Sequence, residues 1–180
     1  GVERLKETWG RYRDLDGDGI PWRTLPGTNH PRAAYFTRGS GHNEAAGYTE
    51  KARDYVRNVE RLARKLETAR GLLPRPATEN RPGATAGLLA FGTSHYGTTE
   101  GRDRLEREHG LPLDYLRLRA LPLAPEAKEW IERHQVVFVV EQNRDAQLAA
   151  LLRDELPALA DRFVSVLQYD GLPLDATTVV

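Results

Sequence analysis

The run VVFVV, residues 136 to 140, limits what this chain can become more than any other stretch. Five consecutive apolar residues with high strand preference leave no side for water, so as a strand the run must be covered on both faces. Strands of that kind belong to parallel sheets flanked by helices, and the surrounding residues agree. GLLAF, residues 87 to 91, is a second apolar strand, and it ends in GTSHYGTT. Thr98 or Thr99 is placed to cap a helix running to His109 and Gly110. Residues 114 to 121 give a third strand, with Tyr115, Leu116, Leu118 and Leu121 mostly inward. Pro125 is a favourable first helical residue, and Ala127, Trp130 and Ile131 form a short amphipathic stripe. Ala146, Leu148, Ala149, Leu151 and Leu152 lie on the next helix, and residues 163 to 167 form the last strand. The order βαβαβαβ predicts an α/β fold: a three-layer α/β/α sandwich around an open, mostly parallel sheet.

Upstream the texture differs. Residues 1 to 48 are dense in Gly, Pro, Asn, Asp and Thr, with one short amphipathic start (Val2, Leu5, Trp9). They read as an extended arm, and long arms in compact proteins are usually functional or interfacial. Thr49 is in position to cap a helix over about 49 to 70, because Ala52, Tyr55, Val56, Val59, Leu62, Ala63, Leu66 and Ala69 recur at helical spacing. Gly71 is the expected residue just beyond its end, and Pro74 prevents continuation. Residues 72 to 84 form a Pro-rich connector. The expected division is therefore 1–83 for arm, helix and connector, and 84–180 for the α/β domain.

Composition narrows the function. The 26 basic and 26 acidic residues cancel, so no net field draws the chain to nucleic acid or anionic lipid. VVFVV is far too short to span a bilayer. Zero cysteines exclude disulfides, thiolate metal sites, cysteine nucleophiles and cluster ligation by this chain. No secretory signal pattern opens the chain, so a cytoplasmic location is expected. The absence of methionine implies that the sequence does not begin at a translation start.

Four constellations carry candidate chemistry. DLDGDGIPWRTL, residues 14 to 25, has the alternating Asp14, Asp16 and Asp18 and the Gly19 of a calcium loop. The twelfth position, which needs a bidentate Glu, is Leu25, and the eighth is Pro21. A tight turn in which Asp side chains bond their own backbone is the better reading. At the carboxyl edge of the sheet, where open α/β folds bind ligands, GTSHYGTT offers Ser94 and His95, and QYDG offers Asp170. Neither a dinucleotide fingerprint nor a phosphate-binding P-loop is present. Glu141, Gln142 and Asn143 follow the most buried strand, either to face a neighbouring module or to cap the next helix. In the arm, YFTRGSGHNEAAGYTE brings Arg38, His42, Asn43 and Glu44 into a segment with no core of its own. That suits contact with another protein surface. No diagnostic catalytic triad or His-rich metal motif is present.

DLDGDGIPWRTLPGTNHPRAAYFTRGSGHNEAAGYTE and the helix after it, with YLRLRALPL, VVFVVEQNRDAQL and VSVLQYDGLPL, resemble in order the C-terminal part of the α subunit of 2-oxoacid:ferredoxin oxidoreductases, the 2-oxoglutarate type above all. The resemblance covers nearly the whole chain; Ala146 stands where Gly is expected. It implies a transketolase-C-terminal-like domain, with no catalytic residue or cofactor in this stretch. Thiamine diphosphate, Mg²⁺ and an iron–sulfur cluster are then expected elsewhere in the complex. The implied partners are the rest of the α subunit, the β subunit and, with the whole complex, ferredoxin. The enzyme so implied decarboxylates a 2-oxoacid oxidatively to an acyl-CoA. Two alternatives stay open: a stand-alone small-ligand binder using the strand-end loops, and a calcium module.

Overall fold

The computed structural model describes residues 9–31, 33–36, 38–39 and 41–180. The short amphipathic start at Val2 and Leu5 lies outside them. Contacts divide the chain into two compact units, Gly1–Leu72 and Leu73–Val180.

The second unit is the α/β domain. Its elements are β1 (Ala77–Glu79), β2 (Ala86–Phe91), α2 (Ser94–His109), β3 (Asp114–Leu118), α3 (Pro125–Glu132), β4 (Val136–Glu141), α4 (Gln147–Glu155), β5 (Phe163–Leu167) and α5 (Ala176–Val179), and the long helix of the first unit is α1 (Ala52–Leu72). The sheet order is β1-β3-β2-β4-β5, parallel except for β1. Strand alternation sorts the apolar side chains onto two faces. Leu89, Leu116, Val137 and Val139 pack with Trp130 and Ile131 of α3 and Leu148 and Leu152 of α4. Leu88, Ala90, Tyr115 and Val140 face the other way, with Leu174 beside them. Each Leu, Ile or Val among them stabilises the fold by about 1.5–3 kcal/mol on burial. Gly87 is required on β2 because a Cβ there would overlap the Trp130 ring, 2.6 Å from its Cζ2.

Three sequence expectations shift. The connector is not wholly irregular: Ala77–Glu79 adds an antiparallel edge strand, where flanking Pro residues cost no ladder bond. α2 begins at Ser94, not near Thr98, so most of GTSHYGTT is helical. Its Gly97 and Gly101 hide the helical signal; a Cβ at Gly97 would meet Leu174, and at Gly101 Val179, so both glycines admit the C-terminal segment against α2. The third strand ends at Leu118 rather than 121.

In the first unit α1 runs through Gly71 to Leu72, so Gly71 is helical rather than a cap. Its exposure inverts the usual amphipathic arrangement. The apolar stripe is the open side, with Tyr55 60% and Leu66 57% exposed, whereas Asp54 and Arg61 are buried. The arm covers that polar side. Asn58 donates to the His42 carbonyl (2.6 Å), Arg61 Nη1 to the Gly19 carbonyl (3.0 Å) and Thr68 to the Asp18 carbonyl (2.6 Å). Gly19 lies so close to α1 that a Cβ would come 2.7 Å from the Arg61 carbonyl oxygen.

Candidate functional site

Chain winding reverses at β2. β3 adds on one side of it and β4 on the other, which places the crevice of the fold between the carboxyl ends of β2 and β4. Ser94, His95, Glu141, Gln142 and Asn143 gather there, and Asp170 follows β5 at the same edge. Their bonding is mostly internal. The Glu141 carboxylate, fully buried, accepts the backbone N–H groups of Leu148 (2.7 Å) and Ala149 (3.0 Å) and the Asn143 amide (2.7 Å). It therefore caps α4 from the preceding strand, a charge suited to the helix N-terminus. Asn143 Oδ1 accepts from the backbone of Asp145 (3.1 Å) and Gln147 (3.2 Å). Ala146, in the left-handed region at φ 49°, makes the corner into α4, where the sequence reading expects Gly.

Gln142 is a clasp. Its amide nitrogen donates to Thr93 (3.1 Å) and Ser94 (3.2 Å), and its oxygen accepts the backbone N–H of Leu174 (3.2 Å). One side chain thus joins the loops after β2, β4 and β5. Asp170 shapes its own turn, accepting from Leu172 N–H (2.9 Å) and Gln168 (3.1 Å); the Leu172 bond first and the Gln168 bond second hold its carboxyl below the ordinary range.

His95 Nδ1 lies 2.9 Å from the hydroxyl of Tyr115, and the two rings stack. Burial first, then Arg117 and Arg102, lowers the His95 pKa, with Glu79 opposing. Burial pushes Tyr115 up to about 12. At neutral pH the pair is an uncharged hydrogen bond, suited to holding rather than transferring a proton. Around these satisfied polar groups the edge exposes Phe91, Tyr96, Tyr169 and Leu172. A cleft of about 650 Å³ opens beside them, between Phe91, Leu118, Leu121, Leu148 and Leu151, with Asn143 and Gln147 at its rim.

The arm candidates fall in the first unit. Asn43 Oδ1 accepts the backbone N–H groups of Ala45 (3.0 Å) and Gly47 (2.9 Å), closing a turn with Ala46 at φ 72°. His42 pairs with Tyr48 across this turn, and Glu44 binds Arg57 at 2.8 Å. Arg38 is exposed. Asp14, Asp16 and Asp18 do converge, but Asp14 spends its oxygens on Gly17 (2.9 Å) and Gly19 (3.0 Å), and Asp18 accepts from Ile20 (2.7 Å). That is the self-bonded turn. Tyr115, Arg61 and Arg64 escaped the sequence reading as site residues, because each matters through partners distant in sequence.

No family model matches the chain. Among solved structures, the chain is similar to a 2-oxoglutarate:ferredoxin oxidoreductase from Magnetococcus marinus, determined with 2-oxoglutarate, coenzyme A and succinyl-CoA bound. The TM-score is 0.80 and the identity 22%, over 98% of this chain and 30% of that one. The two share a fold. The chain thus spans under a third of the length of the protein it matches. Among the described residues, no helix is long and apolar enough to cross a membrane.

Proposed function

We propose that the chain is the C-terminal structural and interface portion of the α subunit of a thiamine-diphosphate-dependent 2-oxoacid:ferredoxin oxidoreductase, with 2-oxoglutarate as the oxoacid. The observation that carries this reading is the fold match over 98% of the chain to one part of such an enzyme. The order of segments resembling that family supports it independently. So does the carboxyl edge, where the polar groups, with Ser94 and Glu141 buried among them, are bonded within the chain while aromatic and aliphatic side chains are exposed around them. That combination suits a surface covered by another module better than a reaction centre. Without a cysteine the chain offers no thiolate to a cluster, and its one described acidic cluster is committed to a turn. No chemical step is therefore assigned to its residues.

A second reading, a ligand site for a stand-alone domain, is favoured by the carboxyl-edge cleft, whose size is ordinary for small molecules. Immunodepletion separates the two. An antibody to this chain should remove 2-oxoglutarate- and CoA-dependent viologen reduction from an extract of the source cells, while the purified chain alone shows none. Full activity after complete depletion, or turnover by the chain alone, overturns the first reading.

A further inference from the structure

We propose that the arginine pocket between the arm and α1 is a binding site for a compact oxyanion, free phosphate or the phosphate group of a larger molecule. It stands on the geometry of the first unit and does not depend on the reading above. The pocket, about 450 Å³, is lined by Tyr12, Asp14, Glu44 and the guanidinium-bearing Arg57, Arg61 and Arg64, with Gly17 at its edge. The three arginines come from successive turns of α1, so one helix face offers three forks of N–H donors to one space.

Their existing partners leave that capacity unfilled. Arg61 is only 6% exposed, and while its Nη1 meets the Gly19 carbonyl, its Nε is buried with no acceptor. Buried polar groups are almost always paired, and an unmet charged donor is the costliest exception. The Arg64 contact to Asp14 is 3.4 Å, longer than a good charge-assisted bond, and Asp14 already serves two backbone N–H groups. Arg57 binds Glu44 at 2.8 Å, has Asp54 at 3.9 Å on its other nitrogen, and is half exposed.

Charge points the same way. Three guanidiniums line the pocket against two carboxylates. Arg11 adds to the positive field, since it opposes protonation of both His42 and Arg61. His42, whose ring lies 3.8 Å from that of Tyr12, also has a buried Nδ1 without a partner. Burial first, then Arg61 and Arg11, lowers its pKa. An oxyanion held by the three guanidiniums would offset this surplus of positive charge, which a water would not. The pocket, at about 450 Å³, exceeds the size of inorganic phosphate and so has room for an attached group.

The test is calorimetric titration of the 180-residue chain with inorganic phosphate and, separately, phenyl phosphate, in chloride buffer at a constant ionic strength of about 0.1 M. Saturable binding is expected. Tighter binding of phenyl phosphate assigns the site to a phosphate ester, and equal binding assigns it to free phosphate. R57Q and R64Q, both half-exposed positions, should each weaken binding about tenfold, and E44Q should tighten it severalfold by removing a like charge. As a second readout, phosphate should shift the His42 ring resonances and raise its pKa. Absence of saturable phosphate binding, or unchanged binding in the R57Q/R64Q double variant with unaltered circular dichroism, overturns the proposal.

Discussion

The carboxylate of Glu141, the last residue of β4, lies 2.7 Å from the backbone nitrogen of Leu148 in the first turn of α4. Strand and helix are thereby joined by a buried charge seven residues upstream of the N–H it satisfies. A helix can thus be capped from outside its own first turn, by a residue whose position in sequence suggests a site.

Replacing Glu141 by Ala is expected to destabilise the α/β unit by about 1–3 kcal/mol, because two backbone donors at the start of α4 lose a buried charged acceptor. Glu141→Gln, which keeps an oxygen but not the charge, should cost less. Urea unfolding of both variants measures this. Unchanged stability in Glu141→Ala would show that the cap contributes nothing, leaving an interface as the role of the residue.

Ala146→Gly should stabilise. A non-glycine residue at φ 49° costs roughly 1–2 kcal/mol relative to Gly, partly offset by the greater freedom of Gly in the unfolded chain and by lost packing of the methyl. A gain of a few tenths to about 1 kcal/mol is expected in thermal unfolding. A loss would mean that methyl packing outweighs backbone strain here.

Gly97→Ala should destabilise despite the roughly 1 kcal/mol helix propensity it gains. The new Cβ would lie 2.6 Å from the Leu174 carbonyl oxygen, a backbone atom that cannot swing away. Overpacking of this kind costs about 1–3 kcal/mol, so the clash wins. Limited proteolysis should cut the variant earlier than the parent within residues 168 to 180. Equal protection would show that the segment adjusts freely.

Stability should fall as pH drops below about 6.5, the ordinary His value. His42 and His95 both have pKa values lowered in the fold, so the unfolded chain binds protons first. The loss begins at the unfolded pKa and continues down to the folded one; above 6.5 neither histidine contributes a slope. His95→Gln should flatten the dependence in that window. An unaltered profile in a His42→Gln, His95→Gln double variant would refute the assignment.

Calcium should leave the melting temperature unchanged, since the Asp14 and Asp18 carboxylates are engaged by backbone N–H groups and Leu25 replaces the bidentate Glu. Saturable binding tighter than roughly 10⁻⁴ M by calorimetry would overturn this.

The α/β order was legible in sequence because buried parallel strands must be apolar on both sides and their helices must carry a stripe. VVFVV, GLLAF and the Trp130–Ile131 stripe express those demands locally. The Asx turn at Asp14 was legible for the same reason: its geometry is set within a few residues. The corner at Ala146 was not, since spacing put Ala146 on the helix that in fact starts at Gln147, and only the resemblance placed a Gly there. Other features depended on distant partners. The glycines at 97 and 101 look like helix breakers until Leu174 and Val179 are packed on them, some 75 residues on. The apolar side of α1 reads as a core face, yet the arm lies on the polar side, because Asn58, Arg61 and Thr68 offer its carbonyls hydrogen-bond donors that an aliphatic stripe cannot. Periodicity reports that a helix has two sides. Only the tertiary structure decides which side is covered, since that depends on what the neighbouring backbone needs satisfied.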